Sequence, residues 1–307
     1  MLPYLRRRML VAALTLLGIA TVVFALVRLL PGDPAQTMLA RSGATAAEVA
    51  ALRAELALDR PLAVQYLGWL AGLLRGDLGR SLFFGRPVLQ LVGEQLPHSM
   101  ALATGAMLVA LAMGLPMGLA AARWEGRWPD RFVSLLAVGG VSVPVFWSGI
   151  LMIWLFSVQL RWLPSAGSGD LRTLVMPSLV LGFGSAGPIA RLGRAALLES
   201  LGEPYVVAAR GRGLSERQVF LRHVLRNALI PLLTIAGLQV SFLLGSTVIT
   251  ETVFNRPGIG RLLVDAILWR DLPLVQGVAL VVAGFYVTVS LVVDAAAAVV
   301  DPRVVAS

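Results

Sequence analysis

Six stretches of this chain contain no Asp, Glu, Lys, Arg or His, and that pattern constrains the fold more than any other feature: residues 9–27, 100–122, 132–160, 173–190, 227–250 and 272–293. A helix needs roughly 20 apolar residues to cross a hydrocarbon core, and each stretch reaches or nearly reaches that length. Composition agrees, with 57% apolar and only 14% charged residues among 307 and a mean hydropathy of +0.81. The expectation is an all-α polytopic membrane protein with six transmembrane helices. Arg6, Arg7 and Arg8 precede the first stretch as in a signal peptide. Its apolar run exceeds an ordinary h-region and ends without a small-x-small cleavage site, so it reads as a retained span.

Arginine sets the orientation, because all 26 basic residues are Arg. With the N-terminus inside, the cytoplasmic side receives Arg6, Arg7, Arg8, Arg123, Arg127, Arg131, seven arginines over 191–226, and Arg303. The short loops on the other side hold Arg161, Arg172, Arg256, Arg261 and Arg270, and the 67-residue loop 31–97 balances six Arg against six acids. The positive-inside rule therefore places both termini in the cytoplasm. The net charge of +9 is explained by this topology and an anionic inner leaflet, without nucleic acid.

The missing residues narrow the chemistry. With no cysteine there is no disulfide, iron–sulfur cluster or thiol nucleophile. His98 and His223 fall on opposite sides of the membrane and cannot share a metal or a triad, so each reads as a polar or buried histidine. A phosphate-cradling P-loop requires lysine, and the chain has none. Glu251, Asp265 and Asp294 sit at or beyond span ends, so no span carries the central carboxylate of a proton relay. No catalytic residue, cofactor or metal site is expected.

Local signals organise the remainder. Thr45 and Glu48 form a capping box ahead of Val49, Leu52 and Leu56, and a second outer helix begins near Pro61, with Leu62, Tyr66, Trp69, Leu70 and Leu73 on one face before Gly76. That face is expected to pack on the outer ends of the spans; contact with an incoming soluble protein is the alternative. The basic segment 191–226 is interrupted by Gly211 and Gly213 and then restarts as helix. Ser215 with Gln218 makes a capping box, Leu214 and Val219 form a hydrophobic staple, and Glu216 favours the positive helix end. The helix should run toward Pro231, where the fifth span begins. Lying flat on anionic lipid is the bland reading of such a loop; the doubly specified start points instead to a short helix held in a fixed position.

At these residues the sequence resembles a family. Ala208, Ala209 and Gly213, within A-A-R-G-R-G-L-S-E, are similar to the cytoplasmic EAA loop of ABC importer permeases. Val207 stands where the general consensus has glutamate, and the longer distance to Ile230 and Pro231 is similar to the peptide and nickel branch, as is R-H-V-L-R-N-A-L-I-P at 222–231. Further matches are R-L-L-P-G-D-P-A at 28–35, L-D-R-P-L with Gln65 and Tyr66, G-D-L-G-R-S at 76–81, V-S-V-P-V-F-W at 141–147, N-R-P-G-I-G-R-L-L at 255–263, R-D-L-P-L-V-Q-G at 270–277 and D-P-R at 301–303. Their order resembles the first, B-type, member of the paired dipeptide, oligopeptide and nickel permeases.

The resemblance implies a type I ABC importer permease fold in the bacterial inner membrane. Its parts would be a cytoplasmic end and first span over 1–30, a periplasmic helical loop over 31–97, a five-helix core over 98–298 with its coupling loop at 191–228, and a cytoplasmic tail over 299–307. It implies a second homologous permease, two ABC ATPase subunits, a periplasmic or lipid-anchored binding protein and a peptide substrate. Ala208, Ala209, Arg210, Gly213, Leu214, Ser215, Glu216, Arg217 and Phe220 would then form the ATPase-coupling loop. Di- and oligopeptides lead as substrates, with glutathione and nickel chelates as alternatives. Gln239, Ser241 and Ser246 are pathway-lining candidates, although helix packing also accounts for them.

Readings of other classes fit less well. A stand-alone secondary carrier or channel expects coupling carboxylates or inverted repeats, and an intramembrane serine protease expects a serine with a base beside it. Ser185, among Gly182, Gly184 and Gly187, reads as small-residue helix packing, and Pro144 as a break in the third span.

Overall fold

A computed structural model describes residues 2–29, 35, 45–55 and 58–300; most of the 28–35 motif and the closing 301–303 lie outside them. The described residues are almost wholly helical. Helix α1 covers Leu2–Leu29, and two short helices follow, α2 at Ala46–Glu55 and α3 at Leu62–Leu74. Next come α4 at Val88–Arg123, α5 at Trp128–Ser142 and α6 at Val145–Met152, which runs on as a π-helical turn at Ile153–Gln159. Helix α7 spans Arg172–Gly202 and α8 Pro204–Gly211. The four-residue α9, Glu216–Val219, passes through a π turn at Phe220–Val224 into α10 at Leu225–Val253. Last are α11 at Ile259–Leu268 and α12 at Leu272–Val300.

Five helices, α1, α4, α7, α10 and α12, are long and apolar enough to cross a bilayer. The third apolar stretch is a bent pair: Trp128–Gly140 and Val145–Gln159 meet at 97°. Taken as one broken span, the pair brings the crossings to six. Pro144 causes the break, since the residue before a proline is driven out of helical conformation, and Val143 is extended at φ −82°, ψ 121°.

The outer segment follows its local signals. Thr45 N–H donates to the Glu48 carboxylate at 2.7 Å, completing the capping box at the head of α2. Helix α3 ends at a left-handed Gly76, φ +79°. Its face packs on the first span: Tyr66 and Trp69 lie with ring centroids 5.3 and 5.4 Å from Phe24, and the Tyr66 hydroxyl is 2.7 Å from that of Thr21. Gln65 holds the preceding turn by donating to the carbonyls of Leu58 and Arg60. Packing on a span, the first of the two expectations for this face, is what is found.

The core is built on α4 and α7, which pack against each other more extensively than any other pair. Small residues let the backbones close up: a Cβ on Gly118 would sit 2.7 Å from the Ala190 carbonyl oxygen, and one on Gly114 2.8 Å from that of Ala186. Gly187 meets α5 in the same way, and Ser185 is buried beside it, as expected for helix packing. Helix α4 begins at Val88, well before the uncharged stretch. Its outer turns carry Glu94 and His98 yet bury Val88, Leu91 and Val92 against Ile259 and Leu262 of α11 and Leu274 and Val278 of α12. Tertiary burial there outweighs the polar residues that make the segment look like loop. At the other end of the molecule Arg8 and Asp294 pair at 3.0 Å, joining the start of α1 to the later part of α12.

Candidate functional site

The segment from α8 to the start of α10 is fixed at both of its turns by backbone chemistry. Helix α8 starts at Pro204, whose missing N–H would have been unsatisfied at that position anyway. At its other end Gly213 is left-handed, φ +80°. Gly213 N–H donates to the Arg210 carbonyl at 2.9 Å and Leu214 N–H to that of Ala209 at 3.4 Å. Those two bonds make a Schellman motif, for which glycine is the residue without a Cβ penalty. Nothing lies within 4 Å of a Cβ placed at Gly213, so conformation and not close approach explains it. Gly211 is the last residue of α8 and interrupts nothing, so the sequence expectation of two glycine breaks reduces to one.

The chain restarts at once. Ser215, at φ −64° and ψ 150°, accepts from Gln218 N–H at 3.4 Å while its own N–H donates to the Gln218 side chain at 3.1 Å. Across the break the Arg210 guanidinium binds Glu216 bidentately, at 2.9 and 3.2 Å. This contact holds the Glu216 carboxyl below the ordinary carboxylate range and raises Arg210 above its ordinary value. The two helix ends are thus tied by two backbone bonds, a capping box and an ion pair within ten residues, 209–218.

Beneath this hairpin lies an apolar cluster at the same end of the molecule. Val206 and Ala209 of α8 and Val219 of α9 are buried with Ala122 of α4, Ala196 and Leu197 of α7, and Ala228 of α10, and Leu214 and Phe220 pack against them. The staple pair is therefore real, but it is part of a larger cluster. Ala208, Arg210, Gly213, Ser215, Glu216 and Arg217 stay exposed, as does Val207 at 65%. The outward face is small, charged and polar, and the inward face is clamped to the ends of three spans. Nearby, Asp130 at the head of α5 accepts from Arg194 of α7 at 2.7 and 2.8 Å and from Gly126 N–H at 2.9 Å.

The helix runs toward Pro231 as expected, and the candidate span begins there, at Pro231–Val253, without a break in α10, which runs through the proline from Leu225. The irregularity lies earlier, in the π turn at Phe220–Val224, and neighbouring helices in a membrane protein let a proline stay within a span.

All three pathway candidates lie on α10. Ser246 donates to the Phe242 carbonyl one turn back at 2.9 Å, a bond within its own helix and not between helices. Gln239 is half-buried, with its carbonyl oxygen buried and unpartnered. The Ser241 side chain lies outside the described set.

Two carboxylates at the opposite end, Glu251 and Asp271, are buried in ways the sequence reading does not anticipate, since it places Glu251 only at a span end. Glu251, fully buried near the end of α10, accepts from the Ser99 hydroxyl at 2.5 Å and from Arg261 N–H at 3.1 Å, while Ser99 accepts from Ile259 N–H at 2.8 Å. Asp271 caps α12 through Leu274 N–H and accepts from Ser81, Leu82 N–H and Phe83 N–H. The motifs at 76–81 and 270–277 thus meet at Ser81 and Asp271, and that at 255–263 closes over Glu251. Arg256 is 5% exposed; burial pushes its guanidinium down, opposed by the attraction of Glu251. The available signal was the glycine at 258, where a Cβ would overlap the Glu251 carboxylate. Among the described residues no group of three metal-ligating side chains forms.

Comparison with known proteins follows this geometry. The family model of the binding-protein-dependent transport system inner membrane component matches residues 114–306, and the model of the N-terminal part of such membrane components matches 1–103. The chain belongs to this family of ABC importer permeases. The glutathione transport system permease protein GsiC of Salmonella typhimurium strain LT2 is 42% identical over 304 residues, covering 99% of each chain, and GsiC of Escherichia coli strain K12 is 40% identical over the same length. The MetNI methionine ABC transporter, solved in inward-facing conformations, has a chain that aligns with TM-score 0.60 at 20% identity, over 69% of this chain and 97% of that one. An amino acid ABC transporter crystallised with histidines aligns with TM-score 0.54 at 16% identity. These structures share the type I importer permease fold.

Proposed function

We propose that this chain forms half of an inner-membrane pathway importing glutathione or closely related small peptides, driven by ATP hydrolysis in separate subunits. A second homologous permease completes the pathway, two ATPases dock on the cytoplasmic side, and a periplasmic or lipid-anchored binding protein delivers substrate. The α8–α9 hairpin is the coupling element. The observation that carries this reading is its construction: a rigid double-capped turn with a polar outer face, seated on the ends of α4, α7 and α10. A push on α9 passes directly into α10 without an intervening loop, which suits alternating access by rigid-body motion. The division 1–30, 31–97, 98–298 and 299–307, with both termini cytoplasmic, belongs to the same proposal. The name and full-length similarity of the GsiC relatives move the substrate from di- and oligopeptides in general to glutathione, itself a tripeptide.

The test is uptake by the reconstituted complex in proteoliposomes, with labelled glutathione, a dipeptide and a nickel chelate offered in parallel. Glutathione should accumulate only with ATP, the binding protein and all membrane and ATPase subunits present. Uptake of the dipeptide or the chelate without glutathione would overturn the substrate. Uptake that persists without the ATPases would overturn the importer reading.

A further inference from the structure

A cavity of ≈ 780 Å³ opens between the cytoplasmic end of α4 and the short helix α9. Its deep wall is apolar, formed by Pro116, Leu119 and Ala120 of α4 facing Val219 and Phe220. Its mouth is charged, formed by Arg123, Arg217 and the Arg210–Glu216 pair. Pro116 precedes Arg123 by seven residues, so the apolar limb reaches roughly 10 Å from the cations into the span at 1.5 Å per residue. Arg210 and Glu216 neutralise each other at 2.9 Å. Arg123 and Arg217 are exposed and make no salt bridge among the described residues, although Arg123 also attracts Glu216, so the mouth keeps an excess of positive charge. Trp124, 43% exposed, lines the same cavity, as expected where a helix end meets headgroups.

An apolar slot whose mouth sets three guanidinium groups, Arg123, Arg210 and Arg217, against the single Glu216 carboxylate has the charge and chemistry to take a single amphiphile with an anionic head. We propose that it binds one anionic phospholipid, with the phosphate between Arg123 and Arg217 and an acyl chain along Pro116 and Leu119. The lipid then bridges α4 to the α9 hairpin and makes the coupling element sensitive to the composition of the leaflet. Assignment to the cytoplasmic leaflet rests on the orientation proposed above, whereas the binding site itself does not.

The experiment uses the whole transporter in nanodiscs of phosphatidylethanolamine with phosphatidylglycerol as the probe, followed by native mass spectrometry of retained lipid. Wild type should keep one phosphatidylglycerol through mild detergent. Loss of both cations in R123Q/R217Q should weaken retention about 30-fold, at roughly fivefold per basic residue. R6Q/R7Q removes the same charge far from the cavity and should retain lipid like wild type. Ala120→Phe fills the apolar limb with the cations intact and should also lose the lipid, which keeps the test valid if the double arginine variant fails to assemble. Equal loss in R6Q/R7Q would reduce the effect to general attraction and overturn the site. So would retention in Ala120→Phe, or a cysteine at Leu119 that crosslinks to a partner subunit, which would show that protein fills the cavity.

Discussion

The Ser99 hydroxyl lies 2.5 Å from the Glu251 carboxylate and accepts from Ile259 N–H on its other side, so one serine of α4 joins the end of α10 to the start of α11. All three groups are buried or nearly so. Ser99→Ala leaves Ile259 N–H without its acceptor and the carboxylate short of a donor, at about 1 to 3 kcal/mol for such unmade buried bonds. Thermal unfolding of the purified complex should fall accordingly, while Ser168→Ala, on an exposed loop, should not change it. Equal stability of the two variants would show that the junction is held by packing alone.

Gly258 gives a second, independent measure of the same junction. Its φ of 169° is extended backbone open to any residue, but a Cβ would overlap the Glu251 carboxylate. Gly258→Ala should therefore be destabilising by about 1 to 3 kcal/mol through overpacking. Gly245→Ala, with nothing within 4 Å, should be neutral or gain up to about 1 kcal/mol of helix propensity. The same unfolding assay separates them, and a tolerated Gly258→Ala would mean that the carboxylate moves aside freely.

These two residues mark where sequence reading stops. The spans were legible because hydrocarbon demands a long uncharged helix, and the Ser215–Gln218 box was legible because both partners lie within one turn. Val143 before Pro144 similarly announced the break in the third span. Ser99 and Glu251 are 152 positions apart, and only the packing of α4 against α10 and α11 brings them together. The start of α4 at Val88 was hidden for the same reason, since Glu94 and His98 read as loop until α11 and α12 cover the opposite face. Pro231 was legible as the start of the fifth span, and the helix continues through it because neighbouring helices in a membrane can re-satisfy the freed backbone group.

At the hairpin the order of severity follows from conformation. Gly213→Val places a β-branched residue at φ +80°, costing about 1 to 2 kcal/mol in a left-handed backbone. Ser215→Ala removes one cap at about 1 kcal/mol, and the cluster around Leu214 and Val219 remains. Gly211→Ala, inside α8, should be harmless. Hydrolysis stimulated by loaded binding protein in the reconstituted complex should fall most for Gly213→Val, less for Ser215→Ala and not for Gly211→Ala. Wild-type assembly, hydrolysis and uptake in Gly213→Val would remove this turn from the coupling mechanism.

The Asp130–Arg194 pair should behave as one unit. Asp130 is nearly buried and receives both guanidinium bonds, so Arg194→Gln strands a carboxylate beneath the α4–α5 turn. Removing one partner is expected to cost more than replacing both with neutral groups. A double-mutant cycle with Asp130→Asn and Arg194→Gln, read by unfolding of the complex, should give a coupling of about 1 to 3 kcal/mol. Simple additivity would show that the pair is solvated and incidental.

Orientation can be tested without background, because the chain contains no cysteine. The arginine distribution places 191–226 inside, and the Arg8–Asp294 contact puts the start of α1 and the later part of α12 at the same face of the molecule. Ser168, exposed in the loop ahead of α7, and Arg212, exposed at the end of α8, lie at opposite ends of α7. A single cysteine at Ser168 should react with an impermeant thiol reagent added to intact cells stripped of their outer membrane. One at Arg212 should react only after the inner membrane is opened. The reverse pattern would put the hairpin outside, where no ATPase can reach it, and the coupling assignment would fall with the orientation.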